Sequence, residues 1–577
     1  MKKYSLFIVF LLYFNSVLCA DKYLYYEIDD YYTEVANIVY NSIKNQIGTI
    51  SIRKVNVDTA ILFSVPNTIQ FVLEDSLITL NKKVLKIEKE NNYLYASFTN
   101  NETNMFISLL DDNLIAEIQS TIGTYRIVTL SKNEYALVNI DISEIQFEPN
   151  ILKSDNSANS PNNIYEDINE STRLNEDTSV IRILVLYTDS AGKLISNTLS
   201  STAIKNHVFF DINKANESFT NSDIQAKFEL AYIGKTSGGE GILSFEDILD
   251  KFIATSDGYI DEVHSLRNKY KADVCVLLVN SSAYCGLSYL KASSSKAFSV
   301  VYAASGCSLK YTFVHEIGHL LGCNHDRNVE SSNWPYKYGH GFVHYVPGST
   351  TASWRTIMAY SDVCGGNSNC SRIPYWSNPN ISYNGIATGT TTYENNARVW
   401  NERASTVNNF RTKDNSINIT SANINTNALY ESYEASTNIL IGSGYEVQSG
   451  QVVDIVAGTE IRITANTHIK SGSKFRASIR NNADESNYPQ FIAQKELFNS
   501  DSDIHITFSI NKNHINNHIA INSIQQLQSI RIYNITGQCV MQTRQTDIDT
   551  SNLPAGVYII TANTTTGETL QNKFINY

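Results

Sequence analysis

The sequence has no long run of basic residues, and charged residues make up only 18% of it. Lys and Arg number 45 against 57 Asp and Glu, which gives a net charge of −12 over 577 residues. Because a nucleic-acid interface needs clustered basic charge, nothing here points to a nucleic-acid partner. A chain of this length is too long to fold around a single hydrophobic core, so we expect roughly three to five domains.

Long apolar runs are also lacking after the N-terminus, so we expect no transmembrane segment. At the N-terminus itself, Lys2 and Lys3 precede a short apolar run over 6–14, and small residues follow over 16–20. This pattern predicts a signal peptide over residues 1–20. A lipid anchor on Cys19 is the alternative, but the residue before Cys19 is a leucine, which is too large for that motif.

No two cysteines have the Cys-x-x-Cys spacing of a structural zinc site. Six of the eight cysteines lie in one central stretch of a chain that we expect to be exported, which is typical of disulfides. The spacing leaves the connectivity open. The shortest loop joins Cys364 to Cys370, and a second plausible pair is Cys285 with Cys307. The remaining candidates are Cys275 and Cys323.

Composition divides the rest of the chain into four segments. Residues 21 to about 150 contain β-type stretches, and a polar linker extends to 178. Residues 179–412 alternate strands with helices, which indicates an α/β sheet. Residues 413–503 form a β-rich module, and residues 504–577 form a further small β unit.

Within the α/β segment we predict specific elements. A buried strand covers 180–187, and a helix capped by Asp189 or Ser190 follows it toward Phe219. Residues 245–267 are predicted to be largely helical. Further strands are predicted over 226–232, 272–279, 286–290 and 297–302, and a helix over 394–410 closes the domain.

The chemistry of the chain is concentrated at residues 315–326, which read HEIGHLLGCNHD. His315 and His319 are four residues apart, which on a helix places both imidazoles on one face. Gly322 is expected to end that helix in the left-handed conformation, so that the chain turns back and brings His325 to the same ion. Three imidazoles leave one position of a zinc ion open, as in a catalytic site.

Glu316 follows the first of these histidines but faces away from the ligands. It is therefore placed to take a proton from the attacking water and return it to the leaving amine. The alternative is a helix that carries unrelated surface histidines. The fixed positions of Gly322 and His325 make that alternative a poor fit.

The same stretch resembles the extended motif of the metzincin metalloproteases, His-Glu-x-x-His-x-x-Gly-x-x-His. Asp326 directly after it resembles the reprolysin (adamalysin) branch, and Met358 in 356–361 resembles the family's Met-turn. The resemblance implies a twisted mixed sheet with helices, one Zn²⁺ in a cleft and protein or peptide substrates. It gives Met358, Gly322 and Asp326 structural roles.

Two further roles rest on that resemblance. The strand formed by Gly286, Leu287, Ser288, Tyr289 and Leu290 corresponds to the open sheet edge along which substrate binds as an added strand. Tyr360 has the spacing of a tyrosine that stabilises the tetrahedral intermediate in astacin-like and serralysin-like metzincins. The alternative for Tyr360 is an ordinary packed tyrosine.

The resemblance also implies that residues 21–178 are a propeptide. Many metzincin proenzymes block zinc with a propeptide cysteine, but residues 21–178 contain none. A propeptide carboxylate is the alternative, since Asp and Glu also bind zinc.

Residues 504–577 resemble the C-terminal sorting domain of bacterial type IX secretion, through the segments 530–538 and 553–560. The alternative is a generic β-sandwich binding module. Sorting implies secretion machinery as a partner, and a location outside the cell or on the bacterial surface.

Together these features predict a secreted zinc metalloendopeptidase of multidomain architecture. Its α/β metzincin domain is preceded by a β-rich propeptide and followed by two small all-β modules. The alternative is a catalytically silent cell-surface binding protein on the same fold. Calcium is a second conceivable ion, to which no motif assigns a site.

Overall fold

The computed structural model describes the chain except for residues 1–22, 29–31, 89–91, 145–152, 155–177, 197–199, 239–243, 351, 366–369, 443, 465–466, 481–507, 514–517, 524–526, 535–537, 546, 551, 555, 565–568 and 577. The predicted signal peptide and most of the predicted linker lie outside the described residues. The chain divides into two compact units. The first comprises Met1–Asn415, Asn425–Ser436 and Gly450–Ile455, and the second comprises Ser416–Ile424, Thr437–Ser449 and Val456–Tyr577.

The first unit begins with an antiparallel sheet of nine strands. They are β1 (Tyr25–Glu27), β2 (Thr49–Val57), β3 (Thr68–Leu73), β4 (Ser76–Glu88), β5 (Tyr93–Thr99), β6 (Thr103–Leu110), β7 (Asn113–Ser120), β8 (Gly123–Ser131) and β9 (Glu134–Ile140). Their order is β1-β2-β9-β8-β7-β6-β5-β4-β3. Two helices, α1 (Glu34–Lys44) and α2 (Thr59–Phe63), accompany the sheet. The β-rich character expected of this segment is confirmed, and the two helices are additional to the expectation.

Side chains of the nine-stranded sheet alternate between two cores, because successive residues of a strand point to opposite faces. On β5, Leu94, Ala96 and Phe98 pack into the core of the sheet itself. Tyr93 and Tyr95 point the other way and join the large core of the following α/β domain. The N-terminal sheet and the α/β domain are therefore packed together through one face of β5.

The α/β domain is built around a second sheet. Its strands are β10 (Lys153–Ser154), β11 (Ser179–Tyr187), β12 (Ala226–Lys235), β13 (Val274–Val279), β14 (Gly286–Leu290) and β15 (Phe298–Tyr302). Its helices are α3 (Asp189–Ile195), α4 (Ser201–Asn221), α5 (Phe245–Ile253), α6 (Glu262–Lys269), α7 (Ser305–Leu309), α8 (Thr312–Leu321) and α9 (Asn396–Val407). Short strands between α8 and α9 are β16 (Val343–His344), β17 (Trp354–Arg355), β18 (Ser371–Arg372), β19 (Ser382–Tyr383) and β20 (Ile386–Ala387).

The strand order of this sheet is β10-β14-β15-β13-β11-β12. β13 is parallel to both β11 and β15, and β11 is parallel to β12, whereas β14 is antiparallel to β15. The central strands are buried on both faces, which explains the continuous apolar runs that predicted them. The expected α/β class with a mixed sheet is confirmed.

Two helices differ from the sequence prediction. The first starts one residue earlier than expected, because the Thr188 side chain, not Asp189 or Ser190, accepts the hydrogen bond from Ala191 N. It stops at Ile195, and a new helix begins with Ser200 as its cap. The predicted helix over 245–267 is likewise two helices, separated by a turn in which Gly258 has a φ of +81°.

The six central cysteines do not all form bridges. Cys285 is bonded to Cys307, and Cys364 to Cys370. Cys275 and Cys323, the remaining disulfide candidates, are buried free thiols. Cys275 lies in the middle of the sheet on β13, whereas Cys323 follows α8 and packs among apolar side chains. Burial raises the pKa of the Cys275 thiol to about 11, which keeps it protonated.

The remaining strands lie after residue 412. They are β21 (Asp414–Ile419), β22 (Ala428–Ile441), β23 (Glu446–Val447), β24 (Val452–Ala457), β25 (Glu460–Ile463), β26 (His468–Ile469), β27 (Lys474–Ile479), β28 (Phe508–Asn513), β29 (His518–Ser523), β30 (Leu527–Asn534), β31 (Cys539–Thr543), β32 (Asp547–Asp549), β33 (Gly556–Thr564) and β34 (Thr569–Asn576). Tyr232 on β12 pairs antiparallel with Glu431 on β22. The α/β sheet thus takes a strand from beyond residue 412.

Within the second unit, β31-β30-β33-β34 form a four-stranded antiparallel sheet. Its buried centre includes Ile530, Ile532 and Ile560. The strands predicted at 530–533 and 557–560 are confirmed. Among the described residues, no helix has the length and apolarity needed to span a membrane.

Candidate active site

Helix α8 carries the first two histidines, and all of its residues are buried. It begins after Tyr311 and ends at Gly322, whose φ of +112° favours glycine. A Cβ at Gly322 would also lie 2.8 Å from the ring of Tyr336. The predicted helix and its glycine stop are therefore both present, and the chain turns back toward the helix after residue 322.

The three histidine rings converge. The nearest ligand atoms of His315, His319 and His325 all lie within 4.8 Å of one another, and all three side chains are buried. Nε2 of His325 is 3.1 Å from Nε2 of His319. Two nitrogens bound to one tetrahedral zinc at about 2.0–2.1 Å are separated by roughly 3.3–3.4 Å. The observed spacing is close to that value, so the three histidines fit a zinc ion.

Backbone carbonyls hold two of the rings in place. Nδ1 of His315 lies 3.0 Å from the carbonyl oxygen of Ile357, and Nδ1 of His319 lies 2.7 Å from that of Cys323. Because a carbonyl only accepts, each Nδ1 carries the proton, and each Nε2 is left with the lone pair that binds metal. Sequence patterns could not reveal these two acceptors.

The buried side chains of Met358 and Trp376 pack against α8. Met358 is fully buried, and a Cβ at Gly318 would meet its Sδ at 3.2 Å and the ring of Trp376 at 2.7 Å. The absence of a side chain at Gly318, between the two helical histidines, therefore lets Met358 and Trp376 approach the helix backbone there. Met358 thus packs against α8 at the residue between the two histidines, and its role as the Met-turn residue stays a prediction.

Asp326 and Tyr360 lie beside the third histidine. Oδ2 of Asp326 accepts a hydrogen bond from the backbone N of Tyr360 at 2.9 Å, and Oδ1 accepts one from Asn328 N at 3.1 Å. The Tyr360 ring lies 4.4 Å from the His325 ring, centroid to centroid. Asp326 thus ties the segment after the third histidine to the turn that contains Met358.

His340 contacts this segment as well. Its Nδ1 lies 2.9 Å from the carbonyl oxygen of His325, and its Nε2 lies 3.0 Å from that of Ser332. His340 therefore links the third histidine to the segment around Ser332. His344 lies on the short strand β16.

Glu316 is fully buried and faces β14. Ser288 Oγ donates to Oε2 of Glu316 and also lies 2.9 Å from the Glu316 carbonyl oxygen. On the same strand, Gly286 faces the carboxylate: a Cβ there would lie 2.3 Å from Oε1. Ser288 and Gly286 were predicted only as parts of the sheet edge, yet both fix the position of the Glu316 carboxylate.

If Glu316 is the general base predicted from the sequence, Gly286→Ala should lower kcat/KM by roughly tenfold to a hundredfold, since a small misplacement of a reacting group has effects of that size. The added methyl group would displace the flexible end of Glu316 while leaving the backbone in place, so the melting temperature should change little. Peptide hydrolysis and thermal unfolding measure the two effects.

Gly348→Ala is the matched control. Gly348 has a φ of +79°, and a Cβ there would have no atom within 4 Å, so the substitution strains the backbone without contacting Glu316. It should lower stability and leave kcat/KM unchanged. Equal activity of Gly286→Ala and the parent enzyme would show that the position of Glu316 does not depend on Gly286.

The predicted substrate strand β14 has the bounds expected from the sequence, Gly286–Leu290. One edge pairs with β15. The other pairs in parallel with β10, where Lys153 is the register partner of Tyr289 and Ser154 that of Leu290. In the full chain, a piece of the N-terminal segment therefore occupies the edge expected to bind substrate.

Known proteins were compared with the chain in sequence and in structure. Residues 177–377 match the family described as Metallo-peptidase family M12, and residues 511–576 match the Secretion system C-terminal sorting domain. The crystal structure of metalloproteinase-II from Bacteroides fragilis aligns with 50% of this chain and 88% of its own, at 14% identity and a TM-score of 0.30.

Two curated relatives are bacterial peptidyl-Asp metalloendopeptidases. The one from Stenotrophomonas maltophilia strain K279a is 36% identical over 311 residues, which cover 52% of this chain and 69% of the relative. The one from strain R551-3 is 40% identical over 236 residues, which cover 40% of this chain and 53% of the relative. With this identity over more than two thirds of the first relative, the chain belongs to metallopeptidase family M12 and is a secreted zinc metalloendopeptidase.

Proposed function

We propose that the enzyme cleaves proteins at bonds flanked by aspartate, with His315, His319 and His325 as zinc ligands and Glu316 as general base. The observation that carries the catalytic part is the convergence of three buried rings, with Nε2 atoms of His319 and His325 3.1 Å apart. Preference for aspartate is suggested by the two relatives, both of which are named for it.

The group of three histidines fits zinc by donor type as well as by distance. Neutral imidazoles are typical zinc ligands, and among the described residues these three are the one group of His, Cys, Asp or Glu arranged to hold a metal. Zinc supplies Lewis-acid chemistry that polarises the scissile carbonyl and makes water more acidic. Calcium has no corresponding group in the described part of the chain.

Glu316 is the group that moves the proton. Ser288 orients its Oε2, and the Glu316 carboxylate takes a proton from the attacking water and donates it to the leaving nitrogen of the peptide bond. The carboxylate is fully buried between α8 and β14, which restricts its movement and keeps its oxygens in position for this exchange.

We assign Tyr360 to stabilise the oxyanion through its hydroxyl, because its ring packs against His325. On this assignment Tyr360→Phe should lower kcat by about a hundredfold, the usual effect of removing one oxyanion donor. Steady-state kinetics with a peptide substrate measure it. A loss smaller than about threefold would leave Tyr360 as a packing residue.

Substrate binds along β14 as an added strand, with its backbone paired to residues 286–290. Residues 21–178 act as a propeptide, and pairing of β10 with this same edge supports their role in latency. Residues 504–577 act as a sorting domain recognised by secretion machinery, which places the enzyme outside the cell or on its surface. The alternative, a catalytically silent binding protein, gains no support because each predicted catalytic position carries a residue of the type that the reaction requires.

The test is cleavage-site profiling of the purified, proteolytically matured enzyme on a peptide library, with and without a zinc chelator. We expect cuts concentrated next to aspartate, loss of all cuts with the chelator, and recovery on adding zinc. Cleavage without preference for aspartate would overturn the specificity. Undiminished cleavage in the chelator would overturn the zinc mechanism.

A further inference from the structure

Two adjoining cavities lie where the N-terminal sheet packs against the α/β domain. Both are lined by Arg126 of β8, Ile43 of α1 and Ser305 of α7. The larger, here called the interface cavity, has about 580 Å³ of empty space, part of which is open to solvent, so a small molecule can enter it. Its walls come from both sides of the contact, that is, from the proposed propeptide and from the protease domain.

Arg126 carries the positive charge of the interface cavity. The side chain is 4% exposed, and its Nε and Nη1 atoms are buried without a hydrogen-bond partner. Oε1 of Glu117 lies 3.9 Å from Nη1, which makes an ion pair but no hydrogen bond. A buried N–H group without an acceptor is unfavourable, and more so when it is charged. Arg126 therefore calls for an acceptor that the described residues do not supply.

The carboxylates near Arg126 are engaged with other groups. Glu117 also pairs with Lys214, which is 2% exposed. Asp211 accepts a hydrogen bond from Ser308 at 2.8 Å, and burial raises its pKa. Burial lowers the pKa of Arg126, and Glu117 and Asp211 act against that lowering. No described carboxylate lines either cavity, so an anion in the interface cavity would contact Arg126 without facing a carboxylate of the wall.

His207 on α4 is the second ionisable residue of the interface cavity. Burial, followed by the charge of Arg126, lowers the pKa of His207 to about 3, so its ring is neutral at ordinary pH. Its Nε2 lies 3.6 Å from Oδ2 of Asp211, which is too far for a hydrogen bond. A neutral imidazole has one N–H to donate. His207 thus adds a donor to the same cavity and no further charge.

Much of the remaining wall is apolar. Val39 and Ile43 come from α1, Leu114 and Ile115 from β7, and Leu194 from α3. A few polar groups within apolar walls are typical of small-molecule sites. A ligand that fits this wall has one negatively charged head group and a small apolar body.

We propose that the interface cavity binds a small organic carboxylate, with its head group on Arg126 and its apolar body against α1 and α3. A carboxylate suits a guanidinium group because its two oxygens accept from two parallel N–H donors. Arg126 belongs to the N-terminal sheet and His207 to the α/β domain, so the bound molecule joins the two. It stabilises the precursor, since a ligand favours the state that binds it.

Butyrate is the probe for this site, and butyramide, which is similar in shape and uncharged, is the matched control ligand. Isothermal titration calorimetry measures their binding to the full-length precursor, and thermal unfolding is recorded with and without each compound. We expect butyrate to bind and to raise the melting temperature. Butyramide in the parent, and butyrate in Arg126→Gln, should bind more weakly by roughly tenfold to a hundredfold, since hydrogen bonds to charged groups have effects of that size.

Arg53→Gln is the matched control variant. Arg53 lies on β2 of the same sheet, pairs with Glu27 and Glu74, and is not among the residues that line the interface cavity. Its substitution should leave butyrate binding unchanged. If Arg126→Gln does not fold, judged by thermal unfolding, Ile195→Trp decides. It fills the cavity from a partly buried wall position, keeps every charge, and should abolish butyrate binding.

A parent precursor that does not bind butyrate overturns the inference, and so does equal binding of butyrate and butyramide. Unchanged butyrate affinity in folded Arg126→Gln, or in Ile195→Trp where that variant decides, also overturns it. Chloride that displaces butyrate at equal concentration would show a site for inorganic anions and would overturn the assignment to an organic carboxylate.

Discussion

Glu316→Gln is expected to lower kcat/KM by about two to four orders of magnitude, the usual contribution of a general base. Glutamine has nearly the same shape and can still accept from Ser288, so the side chain should stay between α8 and β14. It cannot take a proton from water at neutral pH. Zinc content, measured on the same preparation, should be unchanged, because Glu316 is not one of the three converging residues.

Glu330→Gln is a suitable control, since Glu330 comes shortly after the zinc motif and lies outside the group of converging histidines. It should retain activity within about twofold, the range typical of a surface substitution. Activity of Glu316→Gln within threefold of the parent would mean that another group accepts the proton. Loss of zinc together with activity would mean that the substitution acts through the metal site.

Glu117→Gln is expected to destabilise the full-length chain by about 3–5 kcal/mol, because it removes the charge of one partner in a buried ion pair. Glu117 on β7 and Lys214 on α4 form this pair with exposed fractions of 0% and 2%. Arg126 lies 3.9 Å from the same carboxylate. Removal of the negative charge would leave two buried cations facing one another. Urea unfolding of the precursor measures the free-energy change.

The pair Lys132–Asp112 is the matched control, with exposed fractions of 78% and 66%. Asp112→Asn should change stability by less than about 1 kcal/mol, as for most exposed pairs. Replacing both partners at the buried site, Glu117→Leu with Lys214→Met, should recover much of the loss, since no unpaired charge remains. Equal losses at the buried and exposed sites would show that burial of Glu117 does not matter.

Local patterns predicted much of the α/β domain. The helix of the zinc motif, its end at Gly322 and the strand Gly286–Leu290 all follow from spacing and turn residues within a short window. The break between α3 and α4 was missed because the residues on both sides favour helix, and only the side chain of Ser200 marks a new start. Short-range signals of this kind give the existence of an element more reliably than its ends.

Contacts between distant segments could not be predicted in this way. Ser288 is 28 residues from Glu316, and no periodicity links them. The pairing of Arg355 with Arg372 depends on the register of two strands of only two residues each. The ion pair of Glu117 with Lys214 joins segments 97 residues apart. Each of these contacts depends on tertiary packing, which cannot be read from any short stretch of the sequence.

On the proposed function, strand β14 has two roles, which together bear on where a substrate is cut. Ser288 and Gly286 contact the Glu316 carboxylate, and the edge that pairs with β10 in the full chain would pair with substrate after β10 has left. A peptide paired with that edge would then be aligned with the proposed proton acceptor. A slip of one residue would turn every side chain to the opposite face, so mispaired peptides would be held without being cut.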